Sequence, residues 1–295
     1  MTDTLPIEDA LAALISALAR DGRAVLQAPP GAGKTTRVPL ALLETGSVAG
    51  RILMLEPRRL AARAAAERMA ETLDEPVGQT VGYRMRGAAR IAKSTRIEVV
   101  TEGILTRMLQ SDPDLPGVGM VIFDEFHERS LNADLGLALV WEVRQALRPD
   151  LRILVMSATL DADPVALMLD NAPVITSQGR AFPVETRWLP RSPDTTLRYE
   201  AGVAHLVAQA VRETEGGILV FLPGEGEIRR AQSLLARNLP ADCTLHPLFG
   251  AMEFAAQRAA IAPVASGRKI VLATAIAETS LTIEDIRVVV DGGRA

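Results

Sequence analysis

Short, nearly unbroken apolar runs punctuate the first part of the chain: AVLQA (24–28), RILMLEP (51–57), IEVVT (97–101), MVIFDE (120–125) and RILVMSAT (152–159). A strand with one solvated face alternates apolar and polar residues, whereas a continuous run is what a strand covered on both faces looks like. Longer segments with apolar residues at helical spacing lie between the runs, beginning with an amphipathic stretch over residues 1–23. Strand and helix in alternation predict an α/β fold with a doubly wound parallel sheet.

The theme returns in GGILVFLP (216–223), CTLHPLF (243–249), KIVLATA (269–275) and RVVVDGG (287–293). Between the two series, NAPVITSQGRAFPVETRWLPRSPDTTLRY is rich in Pro, Thr and Arg and has little helical periodicity. A boundary is expected near 176–182, giving one domain over residues 1–176 and a smaller one over 177–295.

Composition narrows the picture. With 48% hydrophobic and 23% charged residues in 295, the chain reads as a globular protein with sizeable cores. Aromatic residues make up only 3%, which leaves little surface for stacking bases. The net charge of −4 gives no overall basic footprint, so any nucleic-acid contact must come from a local groove. Cys243 is the only cysteine, so no disulfide-linked partner is expected, and a reducing cytoplasm fits. The acidic N-terminus lacks the basic start of a signal peptide, and no apolar run approaches a membrane span.

Two motifs carry chemistry. APPGAGKTT (28–36) follows a predicted strand and precedes a predicted helix, the setting a phosphate-binding loop requires. Gly31 and Gly33 allow close backbone approach, and Ala32, Thr36 and the other loop amides face the phosphates. Lys34 reaches the β- and γ-phosphates, and the Thr35 hydroxyl ligates Mg²⁺. The pattern G-x-x-x-x-G-K-[ST] is met except that Ala28 stands at the first glycine. Asp124 and Glu125 close a buried strand, where Asp124 is expected to hold Mg²⁺ through water and Glu125 to activate the attacking water. Adjacent strand residues point to opposite faces, so both can serve one site only where the strand ends and turns.

Asp124-Glu125-Phe126-His127 resembles the Asp-Glu-Ala-His signature of DEAH-box superfamily 2 helicases, with Phe126 in place of alanine. EPRRLAARAAAERMA (56–70), TEGILTRML (101–109), SAT (157–159) and ATAIAETSLTIEDIRVVVDGG (273–293) are similar to that family's motifs Ia, Ib, III and V, in the same order. LEPRRLAARAAAERMA together with VGYRMRG is most similar to the bacterial HrpB-type branch. The resemblance implies two tandem RecA-like domains of the P-loop NTPase type, the second incomplete. It also implies ATP and Mg²⁺ as cofactors and single-stranded RNA, or DNA, as partner.

By the same resemblance, His127 works beside the γ-phosphate with Ser157, Ala158 and Thr159, which report nucleotide state. Arg58, Arg59, Thr101, Glu102 and Gly103 line the nucleic-acid surface at the sheet's C-terminal edge, with Thr274 in the second domain. Glu278 and Ser280 belong to the coupling motif, in which Ala275 replaces an asparagine. Arg68 is a candidate to stack on adenine. No stretch resembles the Gln-x-x-Gly-Arg-x-Gly-Arg motif of the family. The expectation is an ATP-dependent helicase truncated before that motif, binding ATP with weak hydrolysis. A nucleotide-dependent nucleic-acid-binding module without unwinding activity is the alternative.

Overall fold

The computed structural model describes residues 5–158, 162–179, 183–189, 198–278 and 283–294. The chain forms two compact units, Met1–Pro183 and Val184–Ala295. The strands of the first are β1 (Arg23–Gln27), β2 (Arg51–Glu56), β3 (Val81–Met85), β4 (Ala88–Arg90), β5 (Ile97–Thr101), β6 (Val118–Phe123), β7 (Arg152–Ser157) and β8 (Val174–Thr176). Its helices are α1 (Glu8–Asp21), α2 (Lys34–Glu44), α3 (Arg59–Thr72), α4 (Glu102–Ser111), α5 (Leu131–Ala146) and α6 (Asp163–Met168).

The sheet runs β4-β3-β5-β2-β6-β7-β1-β8. All neighbours are parallel except β4, which returns antiparallel beside β3 with Tyr83 opposite Arg90. The expectation of a parallel sheet is therefore corrected at one edge. The β3–β4 turn is too short to carry a crossover helix, so β4 can only return antiparallel.

Each continuous apolar run conceals a period of two. Leu26, Met54, Ile122 and Leu154 join the core beneath α1, α2 and α3. Val25, Leu53, Val121 and Ile153 join the core beneath α4, α5 and α6. Burial on both faces, at about 1.5–3 kcal/mol for each large apolar side chain, makes the central strands the rigid part of the unit. Tight approach needs one glycine in particular: a Cβ on Gly119 of β6 would lie 1.8 Å from the Ala49 carbonyl oxygen.

Ser177 N–H donates to Gln27 O at 2.8 Å, and its hydroxyl donates to Pro6 O at 3.1 Å, so the chain past β8 is still tied to the first sheet. In the second unit, α7 (Tyr199–Glu213), β9 (Gly217–Phe221), α8 (Glu225–Leu235), β10 (Cys243–Leu248), α9 (Phe254–Ile261), β11 (Arg268–Ala273) and β12 (Ile286–Asp291) form a smaller α/β body. Its sheet is wholly parallel, in the order β10-β11-β9-β12.

Candidate active site

Parallel strands deliver their C-terminal ends to one edge, and open α/β sheets bind ligands there. At that edge β1 passes into the loop Ala28–Gly33, anchored where Ala28 N–H donates to Ser157 O at 2.9 Å. Gly31 and Gly33 have φ of 76° and 93°, a left-handed backbone that strains any residue with a Cβ. Gly33 caps α2 without a side-chain bond, and the first backbone bond of the helix runs from Arg37 N to Gly33 O. The preceding amides, including those of Lys34, Thr35 and Thr36, have no partner within the helix and suit an anion.

The loop is joined to the end of β6 by two side-chain bonds. Lys34 Nζ lies 2.8 Å from Glu125 Oε1, with both side chains buried. Thr35 Oγ1 donates to Asp124 Oδ2 at 2.6 Å. Asp124 Oδ1 also accepts the Glu125 backbone N–H at 2.8 Å. Glu125 itself has φ 49° and ψ 36°, which swings its carboxyl back to the same side as Asp124. A strand continued straight would have sent the two apart. Burial pushes the Glu125 carboxyl above its usual range, the Asp124 charge adds to this, and Lys34 opposes it.

His127 lies in the short helical turn Phe126–Glu128. Ala158 N–H donates to His127 Nδ1 at 3.3 Å, so in that bond the ring proton is on Nε2. The same nitrogen lies 3.3 Å from Glu125 Oε2. Ser157, at the end of β7, is fully buried. Phe126 packs edge-on against Phe123 with ring centroids 6.3 Å apart, so its role is in the core.

Glu56, at the end of β2, was not singled out from sequence as part of this cluster. It is fully buried, and no donor reaches either of its carboxyl oxygens. Burial first, then the charges of Asp124 and Glu125 and a bond to Asp124, hold it well above the usual carboxylate range, with Lys34 opposing. Protonated, Glu56 becomes a donor toward Asp124, which removes the conflict of three carboxylates around one lysine. The available signal was a carboxylate ending an otherwise apolar run beside Asp124-Glu125.

The other expected residues fall into two groups. Arg58 caps α3 and Arg59 opens it, while Thr101 caps α4 ahead of Glu102 and Gly103, so both sets stand at the sheet edge that carries the loop. Arg68 lies exposed on α3, where its guanidinium pairs with Glu71 at 3.3 Å on the same helix. In the second unit, Thr274 precedes the turn Ala275–Ala277 and Glu278 follows it. Thr159 and Ser280 lie outside the described residues.

The sequence profile of DEAD/DEAH box helicases matches residues 9–167. The chain belongs to this family. Its relatives include the ATP-dependent RNA helicase HrpB of Escherichia coli K12, 54% identical over 98% of this chain and 36% of the relative. The ATP-dependent RNA helicase HrpA of the same organism is 37% identical over 99% of this chain and 23% of the relative. A crystal structure of Escherichia coli DEAH/RHA helicase HrpB superposes with a TM-score of 0.91 at 54% identity, covering 97% of this chain and 36% of that one. The chain thus spans about a third or less of the length of these helicases. Two α/β bodies carry the fold of this chain, and the family match lies in the first.

Proposed function

We propose that this chain is the nucleotide-using part of an ATP-dependent RNA helicase, binding ATP with Mg²⁺ at the Lys34 loop and hydrolysing it to move on single-stranded RNA or DNA. The observation that carries this reading is the pair of buried bonds Lys34–Glu125 and Thr35–Asp124. They bring a phosphate-binding amine, a general base and two hard oxygen donors into one cluster. A cytoplasmic setting accords with the lone cysteine, and no helix among the described residues is long and apolar enough to cross a membrane.

Magnesium fits the donor set. Among the described residues no group of three His, Cys, Asp or Glu side chains could enclose a metal. Magnesium instead keeps several waters and needs only one or two protein oxygens beside the phosphates. The Thr35 hydroxyl and the Asp124 carboxylate would hold it, and when bound it would neutralise charge developing on the phosphates.

ATP gives the Lys34 ammonium a γ-phosphate in place of Glu125. Release of Lys34 leaves the Glu125 carboxylate free to accept a proton from the attacking water. Its raised proton affinity suits a general base, because catalysis improves as the base's pKa nears the working pH. His127, bonded to Ala158, ties the position of this base to the end of β7. ATP turnover in Mg²⁺, measured with and without single-stranded RNA and with DNA of the same sequence, tests the proposal. RNA is expected to raise the rate; a rate indifferent to both RNA and DNA would contradict the nucleic-acid reading.

A further inference from the structure

Away from the phosphate loop, a cleft of about 390 Å³ opens between α4 and the strands beneath it. Leu53 pairs with Glu98 and Val100 with Arg84 across β2, β5 and β3, and Leu53 and Val100 belong to the core under α4. Paired residues of a sheet share a face, so Glu98 and Arg84 also point toward α4, as does Arg51, two residues before Leu53. Glu98 has no exposed surface, yet it carries a carboxylate into an apolar layer. Arg51 Nη1 donates to Glu98 Oε2 at 3.0 Å. Arg84 Nε lies 2.8 Å from Glu98 Oε1, close enough for an ion pair but off the line of a hydrogen bond, and both atoms lack a hydrogen-bond partner.

Burying a carboxylate is unfavourable, and one well-formed bond offsets only part of that. Its effect here is to fix two guanidinium groups at the wall of the cleft. Arg107, on α4, supplies a third; it is exposed and, among the described residues, forms neither a hydrogen bond nor an ion pair. Against these three arginines stand only Glu98 and, at the rim, Asp112, so positive charge is in excess. Ile104, Met108, Leu115 and Pro116 make up the apolar part of the lining.

Guanidinium forks match carboxylates and phosphates, so the occupant is an anion with an apolar part. Three features select among such anions. Among the described residues no aromatic side chain lines the cleft, so a base has nothing to stack on. Asp112 at the rim repels a chain of phosphates more strongly than it repels one carboxylate. Arg107, Ser111, Asp112 and Pro116 are exposed, so the cleft is open on one side. It cannot enclose a small molecule as a metabolite pocket does, but it admits a side chain carried on a larger surface.

We propose that this cleft docks an acidic segment of a protein partner, with an apolar side chain of Leu or Phe size between Met108 and Leu115 and neighbouring carboxylates on Arg84 and Arg107. An apolar anchor in a pocket beside arginine-held acidic groups is a recurring mode of peptide recognition. The site uses neither Lys34 nor the sheet edge that carries the phosphate loop, so it stands whether or not the chain turns over ATP.

The test pans a random dodecapeptide library, displayed on phage, against the 295-residue chain. Synthetic, labelled versions of the enriched peptides are then titrated by anisotropy with wild type, Arg107→Glu, Arg107→Lys and Arg84→Gln. Enriched sequences are expected to place Asp or Glu beside Leu, Met or Phe. Arg107→Glu is expected to weaken their binding about tenfold or more, and Arg107→Lys, which keeps the charge but loses the fork, by about threefold. Changing the peptide's Asp or Glu to Asn or Gln, or its apolar anchor to Ala, weakens binding about tenfold as well. Because Arg107 is exposed, the urea midpoint of its variants is expected to match wild type, which separates lost docking from lost folding even if Arg84→Gln proves unstable. No enrichment, enrichment without an acidic-apolar pattern, or peptides that bind Arg107→Glu as tightly as wild type would each overturn the proposal. Single-stranded RNA titrated alongside is the remaining arm: RNA binding that falls with Arg107→Glu while peptide binding does not would assign the cleft to nucleic acid and overturn it too.

Discussion

Lys34 and Glu125 neutralise one another across 2.8 Å in a pocket that admits almost no solvent. Removing one partner of such a pair costs about 3–5 kcal/mol, because it leaves a buried charge alone. Glu56 stands behind them with no donor on either oxygen, and burial together with the charges of Asp124 and Glu125 raises its proton affinity well above the usual carboxylate range. A carboxyl with a raised folded-state pKa contributes stability that is intact below its unfolded value and is lost as pH rises toward the folded one. For Glu56 the loss begins near 4.5 and continues upward at roughly 1.4 kcal/mol for each pH unit until the folded value is reached. Glu56→Gln keeps the donor and removes the titration. Urea unfolding is expected to show little difference between variant and wild type near pH 4.5 and a growing advantage for the variant toward pH 8. A constant difference across that range would show that Glu56 is ionised in the folded protein.

At the scale of elements, β6 has least room to adjust. Its glycine, Gly119, lies against Ala49 O, and the strand's position fixes Asp124 and Glu125 at its end. Gly119→Ala is expected to lower unfolding free energy by about 3 kcal/mol or more, through displacement of a packed strand. Denaturant melts would register this, and an unchanged midpoint would mean that β6 has slack. The strands β1, β2, β5, β6 and β7 and those of the second unit were legible because their apolar runs were long and continuous, whereas β3, whose Val81–Met85 is interrupted by Gly82 and Arg84, was not. The hairpin partner β4 was not, since Ala88–Arg90 is short, polar and paired on one side only. β8 was missed for a related reason: Val174–Thr176 is short and follows a proline, and its place is set by pairing with Val25–Gln27. In the site, the loop and the Asp124-Glu125 pair could be read from spacing. The Lys34–Glu125 bond, the backward turn at Glu125 and the buried, unpartnered Glu56 carboxyl could not, because each depends on tertiary packing around a side chain.

Over the whole molecule, the described residues that meet the phosphate-binding requirements all belong to the first unit, where the family match also lies. The second unit repeats the parallel α/β plan with Thr274 at the C-terminal end of β11, the corresponding edge of its own sheet. The central claim is that the cluster at the end of β6 turns over ATP, with Glu125 as the base and Lys34 as the phosphate ligand. Glu125→Gln under single-turnover conditions is its most direct test, with ATP binding and hydrolysis measured on the same samples. The account predicts that the variant still binds ATP and hydrolyses it about 100-fold or more slowly than wild type. Equal hydrolysis by the two proteins at matched occupancy would contradict it.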